Sequence, residues 1–402
     1  MRILVVHNRY QQPGGEDRVV EAESCLLATM GHDIEQWEEN NDSIASPLSA
    51  VLTALQSVYS FEQARAMRQR LQHFQPDVVH IHNFFPRLSP SIHMECHRAH
   101  VPVVQTLHNF RLLCPAAILH AAEGRCSGCA QRIVPWPAVV RGCYRQNRLA
   151  SLAVANMLAT HRLLGTWNRC VRRFIALSEN ARQTFVAAGL PAEKIMLKPN
   201  FVDPDPGMGT GDGNFALFVG RLVEEKGVAT LLAAWQQLAT PLPLKIIGDG
   251  PLAASVVQAA AIHPNIESLG MRDRSYVQQT MAHATILILP STWDEAFPVV
   301  IAEAFAAGLP IVASRLGAMA ELIEDGQTGR LFVPGDATQL ARTIESVVAR
   351  PRELQAMRLR ARAQYEQKYT AAANYPQLLA IYKAARSSAT APALQSRLEA
   401  IG

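Results

Sequence analysis

Short apolar runs alternate with stretches of helical periodicity along the chain. The runs fall at Ile3–Val6, Asp77–Ile81, Val103–Leu107 and Phe174–Leu177, and again at Phe215–Val219, Leu244–Ile247, Ile286–Leu289 and Ile311–Ala313. Arg18–Met30 and Phe61–Phe74 carry their apolar residues at helical spacing. Strand followed by helix, repeated in two series, predicts an α/β fold of parallel sheets covered by helices on both faces.

The pattern is interrupted once. Between Asn200 and Gly213 the chain is rich in Gly, Pro and Asp, which turn readily and bury little, so this stretch reads as a linker. The expected domains are 1–200, 201–370, and a C-terminal helix over 371–402 that packs back on the first domain and frays into a Ser/Ala-rich tail from about Arg386. No repeat of solenoid period is visible. Ligands of doubly wound sheets bind beyond the carboxyl ends of the strands, so a cleft between the two domains is the expected site.

Composition narrows this picture. Of 402 residues, 49% are hydrophobic and 18% charged, enough apolar material for two cores and too much for a disordered chain. Mean hydropathy is +0.03, yet no run approaches the roughly 18–20 apolar residues of a membrane span. The first residues read as a strand with no cleavage site after them, which predicts a cytoplasmic protein whose seven cysteines are reduced or metal-bound. A net charge of +4 is too small to suggest nucleic-acid binding.

Four motifs follow strands. Gln12-Pro13-Gly14-Gly15-Glu16-Asp17 sits between the first strand and first helix. Adjacent glycines there allow close backbone approach to an anion at the helix N-terminus, or make a plain turn. Gly220-Arg221-Leu222-Val223-Glu224-Glu225-Lys226-Gly227 brings two cations to one strand-to-helix connection, where both could meet a diphosphate; its spacing is not that of a P-loop. Gly248-Asp249-Gly250-Pro251 reads as a tight turn. In the segment Ser291–Pro310, Glu295 lies in the loop after a strand and Glu303 eight residues on in the next helix. Two such carboxylates can accept from the vicinal hydroxyls of sugar rings.

Together, G-R-L-x-x-x-K-G, G-D-G-P and E-x7-E before A-x-A-x-G-x-P resemble the retaining glycosyltransferases of family 4, of GT-B fold, over about residues 1–385. The Gly-Gly loop, Asp77-Val78-Val79-His80, Thr106-Leu107-His108-Asn109, Ser178-Glu179-Asn180 and Pro199-Asn200 agree more loosely. The resemblance implies two tandem Rossmann-like domains and transfer of a hexose from a UDP- or GDP-linked donor to a glycan or lipid-linked acceptor, as in surface-polysaccharide synthesis, with no cofactor required for catalysis. It implies that Arg221 and Lys226 bind the diphosphate, that Glu303 accepts from the ribose, and that Glu295 with Ala296, Phe297, Pro298 and Val299 holds the donor hexose. It also implies that Gly14 and Gly15 let a loop close over the phosphates, and that His108 faces the reacting side of the sugar. This chain departs from the family at Ala296, where Gly is common, at Pro298, which lacks an N–H, and at Asn109, where many relatives have Asp. An epimerase of the same fold and a non-catalytic sugar-nucleotide-binding scaffold are the alternatives.

Other signals belong to no such set. Asp203-Pro204-Asp205 spells D-x-D but lies in the linker, where Asp and Pro are ordinary turn formers. His80 with His82 and His93 with His97 lack the carboxylate partners of a zinc helix and read as core or surface histidines. Cys114, Cys126, Cys129 and Cys143 fall in one irregular segment; they read either as a structural zinc site or as reduced packing residues. From Gly124 to Ser178 there are nine Arg and no Asp or Glu, around an apolar stretch at Leu149–Leu164. That pattern fits either peripheral binding to an anionic membrane surface or a core helix with a basic rim.

Overall fold

The computed structural model describes residues 1–9, 14–41, 54, 56–121 and 124–399; of Arg125 and 388–399 it describes the backbone alone. Gln12 and Pro13 of the Gly-Gly loop lie outside the described residues. In chain order the strands are β1 (Arg2–Arg9), β2 (Asp33–Asn40), β3 (Val78–Ile81), β4 (Val103–Thr106), β5 (His120–Ala121), β6 (Gly124–Arg125), β7 (Arg173–Ala176), β8 (Ile195–Leu197), β9 (Ala216–Val219), β10 (Leu244–Ile247), β11 (Ile266–Gly270), β12 (Ile286–Leu289), β13 (Ile311–Ser314) and β14 (Gly329–Phe332).

They form two six-stranded sheets, ordered β2-β1-β3-β4-β7-β8 and β11-β10-β9-β12-β13-β14, and a small hairpin of β5 and β6. Every pair in the two large sheets is parallel. Parallel strands need crossovers, and helices supply them, so both faces of each sheet are covered and the central strands are mostly apolar. Ile3–Val6, Val78, Val79, Ile81, Val103 and Val104 are buried in the first sheet. In the second, Ala216, Phe218, Leu244, Ile246, Ile286 and Ile288 pack with Leu231, Trp235, Val256, Leu340 and Ile344 of the covering helices. Each such aliphatic side chain contributes about 1.5–3 kcal/mol on burial.

The chain divides into two compact units. The first runs from Met1 to Pro199 and takes back the chain from Asn374; the second is Asn200–Ala373. The returning helix, Ala371–Glu399, buries Leu378, Ile381, Tyr382 and Ala385 in the first unit. Its backbone is helical through Glu399, where composition reads as a loose tail from Arg386. Alanine and leucine, abundant there, favour helix strongly, and low complexity hides that preference.

The Gly/Pro/Asp stretch is also more ordered than a linker. Gly209, Gly211 and Gly213 donate their N–H groups to the carbonyls of Ala307, Ala282 and His283. Arg358 Nη2 donates to Gly209 O at 2.6 Å. Asp205 accepts from both terminal nitrogens of Arg362, at 2.7 and 2.6 Å. The D-x-D sequence thus serves packing, and that guanidinium holds the Asp205 carboxyl below its usual range.

Candidate functional site

In the second unit the sheet grows outward from β9 in two directions, to β10 and β11 on one side and to β12, β13 and β14 on the other. Connections leave adjacent strands β9 and β12 in opposite directions, which opens a crevice at their carboxyl ends. The candidate residues stand there. The loop after β9 holds Arg221, which is exposed, and a 3-10 turn, Glu224–Lys226. The loop after β12 holds Glu295. Lys226 Nζ donates to Glu295 Oε2 at 2.7 Å, and Ser291 Oγ donates to the other carboxylate oxygen at 2.9 Å. The backbone joins the same loops, with Thr292 N–H donating to Glu225 O at 2.8 Å.

Two glycines of the sequence motifs make this approach possible. Gly227 has φ +71°, and a Cβ on it would run into the carbonyl oxygen of Pro290. Gly248 has φ +154°, and a Cβ there would meet the carbonyl oxygen of Gly220. The glycines therefore seat the β9, β10 and β12 loops against one another.

Glu303 is the fifth residue of the helix Val299–Ala306 and is partly exposed. Ala296 and Phe297 are buried, with the Phe297 ring 5.9 Å from that of Tyr369. Their side chains are committed to packing, so contacts from this stretch to a ligand fall to its backbone. Pro298 immediately precedes the helix, where its missing N–H costs little.

The first unit holds His108, two residues past the end of β4, and Gly14 and Gly15, where the first helix begins. Gly14 N–H donates to Asp17 Oδ2 at 2.7 Å, and His7 Nε2 donates to Asp17 Oδ1 at 2.8 Å. The Gly14 amide is thus spent on its own helix, which begins at Gly15. Burial raises the Asp17 pKa, but these two bonds outweigh it and hold the carboxyl below its ordinary value.

His108 is tied to a buried polar chain. His108 Nε2 lies 2.9 Å from Nδ1 of His82, whose Nε2 faces Glu23 Oε1 at 3.5 Å. Glu23 Oε1 is also 3.1 Å from His80 Nδ1, and its Oε2 accepts from Lys198 Nζ at 2.8 Å. His80 contacts Tyr382 OH and Thr106 Oγ1, both at 2.8 Å. One of the two imidazoles donates across the 2.9 Å contact between His82 Nδ1 and His108 Nε2 and the other accepts. Burial, with His7 next, pushes His108 down to about 3, so it is a neutral imidazole at physiological pH. Burial opposes ionisation of Glu23, but the Lys198 ammonium and the imidazoles overcome it and hold its pKa well below the usual range.

Sequence reading treats His80 and His82 as ordinary histidines, quotes Asp17 without a role, and passes over Glu23 and Lys198. The available signal is two acidic residues, Asp17 and Glu23, on the buried side of the helix Gly15–Thr29. Among the described residues, Glu23, His80 and His82 form a group of metal-ligand types with donor atoms within 4.8 Å of one another. Lys198 already supplies a cation there. The sulfurs of Cys114, Cys126, Cys129 and Cys143 are free thiols in one region of the first unit, and no three come that close.

Two family models match the chain. "Glycosyltransferase Family 4" covers residues 13–206 and "Glycosyl transferases group 1" covers 209–364. The phosphatidylinositol N-acetylglucosaminyltransferase gpi3 subunit of Schizosaccharomyces pombe is 26% identical over 263 residues, 62% of this chain and 54% of that protein. The phosphatidyl-myo-inositol mannosyltransferase of Mycobacterium leprae is 32% identical over 191 residues, 44% of this chain and 50% of that one. The exopolysaccharide phosphotransferase SCO2592 of Streptomyces coelicolor is 36% identical over 135 residues, 32% of this chain and 14% of its own length. The chain thus spans about half or less of these curated relatives. Among solved structures, Anabaena Alr3699/HepE in complex with UDP aligns over 94% of this chain and 98% of its own, with TM-score 0.65 and 20% identity. Sucrose-phosphate synthase from Thermosynechococcus elongatus aligns over 95% and 98%, with TM-score 0.70 and 17% identity. Both share the fold.

Proposed function

This chain belongs to the group 1 glycosyl transferases of glycosyltransferase family 4, and from that premise we propose that it moves a hexose from a nucleotide-diphosphate sugar to a hydroxyl of a glycan or lipid-linked acceptor, with retention of configuration. The observation that carries this reading is the Lys226–Glu295 pair at the β9/β12 crevice, with Arg221 exposed on the same loop. Arriving phosphates draw Lys226 from Glu295 and meet Arg221. The two cations then stabilise the charge that develops on the departing nucleotide. Glu295, freed of its partner, accepts from hexose hydroxyls, and Glu303 accepts from the ribose. UDP in the complex with Anabaena Alr3699/HepE favours a uridine donor over a guanosine one.

In this reading the acceptor is presented at an anionic membrane surface. No helix among the described residues is long and apolar enough to cross a membrane. Yet Ile133, Val134, Trp136, Val140, Leu149 and Leu152 are each more than half exposed, on and beside the packed helices Trp136–Arg141 and Arg148–Leu163, within the acid-free, arginine-rich stretch. Exposed apolar side chains among arginines suit the boundary between anionic headgroups and acyl chains.

A panel of UDP- and GDP-sugars tests the donor: one of them should be hydrolysed slowly and should raise Tm. Arg221→Ala and Lys226→Ala should each lower kcat roughly 10²–10³-fold, as loss of a preorganised charge does. Undiminished turnover in both variants would remove the assignment.

A further inference from the structure

Between Leu107 and Arg148 the first unit has little regular structure: the two-residue strands β5 and β6, a series of turns, and the short helix Trp136–Arg141. Such a segment buries little and gains most from a cross-link. Four of the seven cysteines lie in it, each fixed by a separate turn. Cys114 N–H donates to Phe110 O at 2.9 Å and Cys114 O accepts from Ala117 N–H at 2.9 Å. Cys126 N–H reaches Leu119 O at 2.8 Å across the β5–β6 hairpin. Cys143 N–H donates to Ala138 O at 2.9 Å, just past the helix end. Arg162 Nη2 donates to Leu112 O and Leu113 O, both at 2.9 Å, and its Nη1 to Cys129 O at 3.1 Å. One guanidinium thus holds the Cys114 and Cys129 turns together.

Cys129 Sγ lies 3.8 Å from the carbonyl oxygen of Pro135, where the helix Trp136–Arg141 begins, and Cys143 closes the other end of that helix. Cys114 and Cys129 are buried, while Cys126 and Cys143 are partly exposed, so an ion has a way in. Cations stand alongside: Arg141 Nη1 lies 3.6 Å from Cys126 Sγ.

We propose that Cys114, Cys126, Cys129 and Cys143 bind one structural zinc ion as four thiolates. Four thiolates on Zn²⁺ carry a net charge of −2, which Arg141, Arg162 and the other arginines between Gly124 and Ser178 balance, in a stretch without a single acid. Zinc–sulfur bonds of about 2.3 Å hold tetrahedral sulfurs roughly 3.8 Å apart, and no three of these sulfurs lie within 4.8 Å of one another, so binding draws their turns inward. All four ligands come from the protein, so the ion stabilises and takes no part in the transfer.

The test is metal analysis of the full chain purified without chelator and dialysed against metal-free buffer. About one zinc per chain is expected, released in step with modification of four thiols by an organomercurial, with a fall in Tm. Cys126→Ser with Cys129→Ser should abolish the zinc, while Cys25→Ser with Cys96→Ser should retain it. If the double variants do not fold, the wild-type titration decides alone. Wild-type protein that holds no zinc even after incubation with zinc chloride, or whose Tm is indifferent to thiol modification, would overturn the proposal.

Discussion

Lys198 and Glu23 meet at 2.8 Å with side-chain exposures of 1% and 2%, a buried ion pair inside the first unit. A buried pair of this kind adds little net stability over an apolar one, but breaking it strands a charge. Lys198→Met should therefore cost roughly 3–5 kcal/mol in urea unfolding at neutral pH, and adding Glu23→Gln should restore much of it. The pH dependence gives a sharper check. Glu23 is depressed below its ordinary 4.5, so its contribution is present above that value and is lost as pH falls through the lower, folded pKa. The deficit of Lys198→Met should hold from pH 7 down to about 4.5 and shrink below that, where Glu23 takes a proton; a deficit that does not shrink below pH 4.5 would contradict the pairing. Such residues escape a sequence reading for a physical reason. Glu23 sits in an amphipathic helix, where a carboxylate is usually solvated, and its partner lies 175 residues away. Lys226 and Glu295 were legible because each belongs to a local motif, though their mutual bond was not.

The elements divide by their place in the sheets. All eight apolar runs are central strands, and β10 and β12 match their runs residue for residue. In the two large sheets the strands that periodicity passes over, β2, β8, β11 and β14, are the four edges. An edge has one open side, so it can be polar; Asp-Ile-Glu-Gln-Trp-Glu-Glu-Asn in β2 has a single fully buried residue, Trp37. Charged edges also resist pairing with other chains. The loops at the crevice are governed by glycine. Gly227→Ala places a side chain at positive φ and against Pro290 O, and the strain alone should cost about 1–3 kcal/mol. It should also weaken nucleotide binding, since it pushes the loop of Lys226 from that of Glu295. Gly270 has φ +66° but open space around it, so Gly270→Asn should be mild in both respects. Equal effects of the two substitutions on nucleotide affinity, measured by calorimetry, would sink the packing argument.

At the scale of the whole molecule, charge and apolar exposure are unevenly spread. The net charge is only +4, yet nine arginines and no acids fall between Gly124 and Ser178, the stretch that also exposes Trp136 and Leu149. The chain should bind vesicles containing anionic lipid at low ionic strength and leave them as salt shortens the Debye length from about 30 Å at 0.01 M to about 8 Å at 0.15 M. Trp136→Ser with Leu149→Ser should weaken binding at every salt concentration, because it removes the apolar part. Absence from anionic vesicles at low salt would end this idea.

The division of the chain also sets an order in time. The second unit is continuous, whereas the first borrows its closing helix from beyond Asn374. When a ribosome has finished Pro199, Tyr382 and the Asn374 amide that receives Lys198 have not been made. The buried charges around Glu23 then lack part of their enclosure while the whole of the second unit is synthesised. During that interval the first unit is an open structure whose interior a chaperone or protease can reach. The half whose synthesis begins first is completed last.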